Sequence, residues 1–332
     1  MLPALSRPGR RRALQGAVAA LAVCGLLLWW LLPRGAPSPE GKVTFSTGVR
    51  TGVYQRYGVL LEEALRRQLP KVDVTLQTSQ GSQENLTRVA TGEADFTIAT
   101  ADAVATYQRN HREGADRLRG CARLYDDYVQ LVVPDGSGIR SIGDLRGKKV
   151  AVGQEGSGVR LVSNRLLAAG GLDPERDVEP VSIGIDTMPG RLEAGTIDAF
   201  FWSGGLPTSA VRDLSERMPV RLVPLGPDLV KALQKPGDIT RYYRSAVMPA
   251  DAYGKARNHA AVPTVAVSNL LVTTDLTDPE LTKRFTETVI ASRDRIGRQV
   301  HAAQLVDLRT AIYTDPLPLH DGAAEYYRSA KP

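Results

Sequence analysis

From residue 42 onward, short apolar segments of strand type alternate with amphipathic helical ones, and the changes from strand to helix pass through glycine and small hydroxyl residues. Strand patterns fall at residues 42–45, 72–75, 96–99, 129–133, 150–153, 178–183 and 199–202, and helical ones at 59–68, 84–91, 158–169 and 188–194. Alternation of this kind predicts parallel sheets covered by helices, an α/β protein. A two-lobed protein needs the chain to cross between lobes, and two apolar strand candidates, 128–133 and 265–272, lie where crossings would fit. The expected domains are therefore a first lobe of 42–129 plus 268–332 and a second of 130–267. The segment 278–306 reads as two helices returning to the first lobe. No repeat of solenoid period interrupts this order.

Three junctions have a common composition. Ser46-Thr47-Gly48 leads towards a helix beginning near Tyr54, Gly81-Ser82 leads into Glu84-Asn85-Leu86, and Gly156-Ser157-Gly158 opens the helix carrying Arg160. The first turn of a helix leaves amide donors unpaired at the positive end of its dipole, and glycine lets a ligand approach the backbone. Junctions at the carboxyl ends of strands suit a small-anion site in a cleft between α/β lobes.

The chain carries 332 residues, 42% of them hydrophobic, enough for a sizeable core. Its formal charge of +6 is concentrated at one end: Arg7, Arg10, Arg11, Arg12 and Arg34 against Glu40 leave about +2 for the rest. No basic stripe with interleaved aromatics appears, so nucleic acid is not an expected partner. Residues 13–32 are almost wholly apolar behind Arg10-Arg11-Arg12. Roughly 20 residues span a bilayer core, and the basic flank puts the N-terminus in the cytoplasm. Residues 1–40 are thus read as a basic stub, a membrane anchor or signal segment, and a linker. Cleavage near Ala36 and lipidation at Cys24 are the alternatives. All three readings export the remainder, to the extracytoplasmic face of a bacterial cell membrane. Cys24 and Cys121 are the two cysteines, and the first lies in the apolar run, so no disulfide within the folded region is expected.

Enzyme chemistry finds little support. His111, His259, His301 and His320 show no metal-ligand spacing, and no Gly-x-Ser-x-Gly elbow occurs. The stretch Gly143 to Lys149 has three residues between its glycines where a phosphate-binding loop needs four. Arg50 and Arg160 each follow a glycine-rich junction, and either could clamp a carboxylate in bidentate geometry or lie solvated on a helix flank. Tyr54 and Trp202 could wall a ligand or simply pack, while Tyr107 reads as packing. Asn85 could contact a ligand or cap its helix. Asp102 suits a cap or a cation better than an anionic solute.

The motifs Ser46-Thr47-Gly48 with Gly52-Val53-Tyr54, Gly81-Ser82 with Glu84-Asn85-Leu86, Gly92-Glu93-Ala94-Asp95, Asp144-Leu145-Arg146-Gly147-Lys148-Lys149, Gly156-Ser157-Gly158, Ile197-Asp198-Ala199-Phe200-Phe201 and Pro318-Leu319-His320-Asp321-Gly322 come in an order and spacing that is fairly specific. With them the chain resembles the TAXI branch of the solute-binding proteins of tripartite ATP-independent periplasmic (TRAP) transporters, over nearly everything after residue 42. The resemblance implies a type II periplasmic-binding-protein fold with two hinge crossings. It also implies capture of a small carboxylate, such as glutamate or a dicarboxylate, and delivery to TRAP membrane permease subunits, with no chemistry on the solute and no cofactor. Whether a structural calcium sits beside the site stays open. Carried over by position, the implied contacts are Ser46, Thr47, Gly48, Tyr54, Asn85, Thr100, Ser157 and Gly158, to which Arg50, Arg160 and Trp202 are added from the chemistry above. The chain departs from the family pattern at Thr100-Ala101-Asp102, where Gln-Ser-Asp is common, and at Arg50, where glycine is. A membrane-anchored receptor reporting ligand occupancy to a signalling partner is the alternative with the same fold.

Overall fold

The computed structural model describes Gln15, residues 21–23, and residues 38–330 apart from Pro236, Asp238 and His259. The chain divides into two compact units, Met1–Ser38 and Pro39–Pro332. In the first, Gln15 and residues 21–23 are helical and exposed. The rest of the apolar run read as an anchor, with Cys24 and Ala36, lies outside the described residues. Among the described residues no helix is long and apolar enough to cross a membrane.

The second unit is a mixed α/β structure. In chain order its elements are β1 (Gly41–Ser46), α1 (Val53–Gln68), β2 (Val72–Gln77), α2 (Ser82–Ala90), β3 (Phe96–Thr100), α3 (Ala101–Arg109), β4 (Leu118–Pro134), β5 (Lys149–Ala151), α4 (Gly158–Ala169), β6 (Glu179–Val181), α5 (Met188–Glu193) and β7 (Ala199–Gly204). There follow α6 (Ser209–Arg217), β8 (Val220–Leu222), α7 (Pro227–Gln234), β9 (Tyr243–Met248), β10 (Val262–Thr274), α8 (Pro279–Ala291), α9 (Arg293–Gly297), α10 (Leu308–Ala311) and α11 (Asp321–Ser329).

The helices form where apolar residues repeat at the helical period. In α1 Tyr57, Leu60, Leu61, Ala64 and Leu65 are buried, and Arg66 and Arg67 sit in the last turn, where the helix dipole favours positive charge. In α4 the buried set is Val159, Val162, Ser163, Leu166 and Leu167, and the Ser157 hydroxyl caps the start by accepting from the Arg160 amide at 3.0 Å. Pro279 opens α8 behind Asp278, whose carboxylate accepts from the Leu281 amide at 2.8 Å.

The strands run β2-β1-β3-β10-β4-β7-β5-β6, with β8 beside β4 and β9 beside β10. One wing, β2-β1-β3, is parallel, and so is the other, β7-β5-β6. The long strands β4 and β10 pair antiparallel between them, β10 meeting β3 on one side and β4 meeting β7 on the other. Both crossing segments expected at 128–133 and 265–272 are therefore strands, but β4 begins ten residues earlier, at Leu118. Arg119, Arg123 and Asp126 interrupt its apolar pattern, so the sequence reading caught its apolar end and missed the rest.

Buried side chains gather on either side of these crossings. One cluster includes Leu131, Val150, Leu166, Phe201, Leu214 and Val265. Another joins Phe45, Leu61, Phe96, Phe285 and Tyr327, with the Phe96 and Phe285 rings stacked at 4.1 Å. A third holds Leu86, Ala99, Val104 and Leu270 under α2 and α3. Cys121 is buried and unpaired, and burial pushes its thiol pKa up, so it acts as a small apolar side chain.

Candidate functional site

Each parallel strand ends at the same place. The last residues of β3 and β7 and the chain beyond β1, β2, β5 and β6 line one cavity of about 60 Å³, through Gly48 and Val49, Gln80 to Ser82, Thr100, Gly153 and Gln154, Gly184 and Ile185, and Trp202 to Gly204. A space of this size admits a small solute or a few waters. The carboxyl ends of parallel strands are where α/β sheets place ligands, because the helices that follow turn their amino ends towards the same point.

Four helices of eight or more residues do so. Gly52, Val53 and Tyr54 are the start of α1, Gly81 and Ser82 of α2, Thr100 precedes α3, and Ser157, Gly158 and Val159 begin α4. Their first-turn amides lack intrahelical acceptors, and the dipoles add positive potential. Glycine keeps the walls close: Gly81 has φ of +131°, and a Cβ there would lie 3.4 Å from the Ser157 Cα. The Gln83 and Glu84 amides both donate to the Gly156 carbonyl at 3.0 Å, and the Gln83 side chain donates to the Ser157 carbonyl at 2.8 Å. These bonds tie the α2 start to the α4 start.

The polar lining is mostly organised by the protein. The Tyr54 hydroxyl donates to the Asn269 side chain, and Asn269 Nδ2 donates to Asp127 Oδ1 at 2.7 Å. The same tyrosine oxygen lies 3.2 Å from Ser82 Oγ, which accepts from the Thr100 amide at 3.2 Å. Thr100 Oγ1 is buried and has no partner. Asp127 is 3% exposed, and burial, reinforced by the charges of Asp126 and Asp102, raises its pKa to about 7 against the pull of hydrogen bonds from Asn269 and Ser203. Burial first and Asp127 second push the Tyr54 pKa well up, so its hydroxyl stays a donor. Trp202 presents its ring to the cavity while its Nε1 donates to Thr208 Oγ1 at 3.0 Å, and Ile185, Met188 and Val159 complete the apolar wall.

Of the residues expected at the site, the structure brings Gly48, Tyr54, Thr100, Ser157, Gly158 and Trp202 together around this cavity. It does not bring Ser46, Thr47, Asn85, Arg50 or Arg160 there. Asn85 Oδ1 accepts from Ser46 Oγ and Ser79 Oγ, both at 2.7 Å, and its Nδ2 donates to the Thr47 carbonyl at 2.7 Å and the Ile98 carbonyl at 3.0 Å. These four bonds use the whole capacity of the amide and leave none for a ligand. Thr47 Oγ1 lies within hydrogen-bonding distance of the Gln55 side chain and the Gln77 carbonyl, so this cluster holds the junction together from behind. Arg160 pairs with Glu175 at 3.0 Å, and Arg50 is exposed on a separate surface groove, so neither guanidinium lines this cavity. Asp102 is buried against Arg165 at 3.1 Å, and the Tyr107 hydroxyl donates to the Glu113 carbonyl at 2.8 Å.

Sequence reasoning missed Asp127, Ser203 and Gln154, and it read Ser82 as part of a glycine junction without naming it a contact. For Asp127 a signal existed: period-two alternation along a strand puts it on one face with Tyr125 and Val129, both buried.

Solved structures share this architecture. A protein described as a periplasmic transporter matches with a TM-score of 0.57 at 12% identity, over 88% of this chain and 93% of that one. Tv2483 bound to L-arginine matches with a TM-score of 0.50 at 14% identity, over 81% and 93%. The periplasmic aliphatic sulphonate binding protein SsuA of Escherichia coli gives 0.48 at 15% identity, over 89% and 84%. Likeness at these identities carries the fold alone: the chain has the two-lobed periplasmic-binding-protein architecture. With its match to the family over residues 45–330, this chain belongs to the NMT1-like family.

Proposed function

We propose that this protein is an extracytoplasmic solute-binding protein that captures a small carboxylate in the cavity between its lobes and delivers it to a membrane transporter. The observation that carries the reading is the meeting of four helix amino ends on one cavity that also holds the buried, unpartnered Thr100 hydroxyl. Backbone amides, rather than an arginine, supply the positive potential for the carboxylate, and Thr100 Oγ1 supplies a further hydrogen bond. The buried clusters support lobes bounded at 42–129 plus 268–332 and at 130–267, because the first cluster draws its residues from Val129 to Val267 and the others from outside that span. Closure about β4 and β10 would then trap the solute. Gly48, Tyr54, Thr100, Ser157, Gly158 and Trp202 are the proposed contacts.

The motif resemblance to the TAXI branch supports a TRAP-type permease as the partner, and the apolar residues 13–32 support tethering to the membrane. Binding requires no reaction of the solute. Isothermal titration of the purified protein with succinate, glutarate, L-glutamate and glucose tests the carboxylate assignment. Heat of binding with at least one acid and none with the sugar is expected. Selective glucose binding, or heat from none of the four, would sink it.

A further inference from the structure

The cavity contains one charged side chain, and it is negative. Among the described residues that line it, Asp127 is the sole Asp, Glu, Lys, Arg or His. The carboxyl group is almost fully enclosed, and its donors are neutral: Asn269 Nδ2 at 2.7 Å on one oxygen and Ser203 Oγ at 3.4 Å on the other. An ionised carboxylate offers about four acceptor sites, so two of these donors leave it half satisfied. The cations nearest along the chain and sheet are committed elsewhere. Arg123 lies 2.9 Å from the Asp126 carboxylate, and Arg244 bonds the other oxygen of the same group. Arg165 is held by Asp102 at 3.1 Å. Asp126 and Asp102 themselves repel negative charge at Asp127.

A buried carboxylate without a counter-charge is costly, and a fold that keeps one against a ligand cavity places it where an incoming group can complete it. The same cavity is lined by the amino ends of α1, α2 and α4, whose dipoles have the complementary sign. Resting on the reading of this cavity as a carboxylate site, we infer that the captured solute also carries a basic nitrogen, an ammonium or guanidinium, that pairs with Asp127, making the ligand a zwitterion of amino-acid type. A plain mono- or dicarboxylate would bring a second negative charge into the space that Asp127 already occupies. A zwitterion adds no net charge and offers a partner of the right sign both to Asp127 and to the helix amino ends. It also accounts for the absence of a cationic side chain among the described lining residues, since the ligand itself supplies the cation.

Matched pairs that differ by the amine test the inference: L-glutamate against glutarate, L-leucine against 4-methylpentanoate, and γ-aminobutyrate against butyrate, with putrescine as an amine lacking a carboxylate. Calorimetric titration is run at about pH 8, roughly one unit above the point where Asp127 ionises. In at least one pair the amine-bearing member is expected to bind at least about tenfold more tightly, the loss typical when one partner of an enclosed charge pair is removed. Asp127→Asn, which keeps the shape of the side chain, is expected to cut that advantage below about threefold while binding of the deamino partner persists. Equal or tighter binding of the deamino acids overturns the inference and leaves the carboxylate site standing. Binding of putrescine with none of the acids overturns the carboxylate reading and the zwitterion together, and silence from every compound does the same. Should Asp127→Asn not fold, the comparison within each wild-type pair decides the matter, because it needs no variant.

Discussion

Asp127 links the ligand cavity to the stability of the empty protein. Its pKa is raised from 3.8 to about 7 in the fold, first by burial, and the ionisable groups facing it are Asp126, Asp102, Tyr54 and Tyr125. A carboxyl whose folded pKa lies above its unfolded one binds its proton more tightly in the native state. Its contribution is therefore full below about pH 4 and is lost as the pH rises through about 7. Three units correspond to about 4 kcal/mol as an upper figure. Thermal melts of the ligand-free protein should accordingly show Asp127→Asn close to wild type near pH 4 and more stable by several degrees near pH 8. A variant that tracks wild type across that range would show that Asp127 is not held unpaired. At this level the sequence was least informative. Ser46, Thr47 and Asn85 fit the binding motif, yet Ser46 spends its hydroxyl on Asn85, 39 positions away, and Asn85 is saturated by two serine hydroxyls and two backbone carbonyls. Which way a polar side chain turns depends on partners that the chain brings in from a distance, and no local pattern encodes them.

The helices were more legible. The repeat of buried residues in α1 and α4 gave their existence and their inner faces directly, and the Ser157 cap fixed the start of α4 at the expected residue. The apolar runs 150–153 and 178–183 overlap β5 and β6, whereas the three-residue β8 is too short for a period to establish itself and is a strand because β4 completes its hydrogen bonds. The amino end of α4 carries a prediction. A Cβ on Gly158 would lie 3.1 Å from Ser82 Oγ and 3.4 Å from Thr100 Oγ1, filling the space where α2, α3 and α4 meet. Gly158→Ala should leave the melting temperature nearly unchanged, since alanine favours a helix by about 1 kcal/mol over glycine, while solute affinity falls at least about tenfold. Unaltered affinity in calorimetry would remove α4 from the binding wall.

In the molecule as a whole, β4 and β10 join two parallel wings, and a second tie bridges them at the side of the cavity. Arg165 of α4 donates to Asp102 at 3.1 Å, to the Tyr243 hydroxyl at 2.8 Å and to Thr106 Oγ1 at 2.7 Å, while the Tyr243 hydroxyl also donates to Asp102. Asp102 is 1% exposed, and Arg165 is the cation that pairs with it. Arg165→Met should cost about 3–5 kcal/mol in urea denaturation, the penalty for stranding a buried carboxylate, and a loss below about 1 kcal/mol would mean that the tie is dispensable. Asp102 read from sequence suits a cap or a cation partner, and the pairing with a residue 63 positions on supplies the cation. The alternation of strand and helix signals was enough to determine an α/β protein, because periods of two and 3.6 residues are written locally in the order of apolar side chains. The glycine junctions marked where helix amino ends would offer amides, for the same local reason. The sign of the charge inside the cavity was settled by tertiary structure. Burying Asp127 between β7 and β10 while turning Arg50 and Arg160 outward depends on strand pairing across more than a hundred residues, and local sequence holds no record of it.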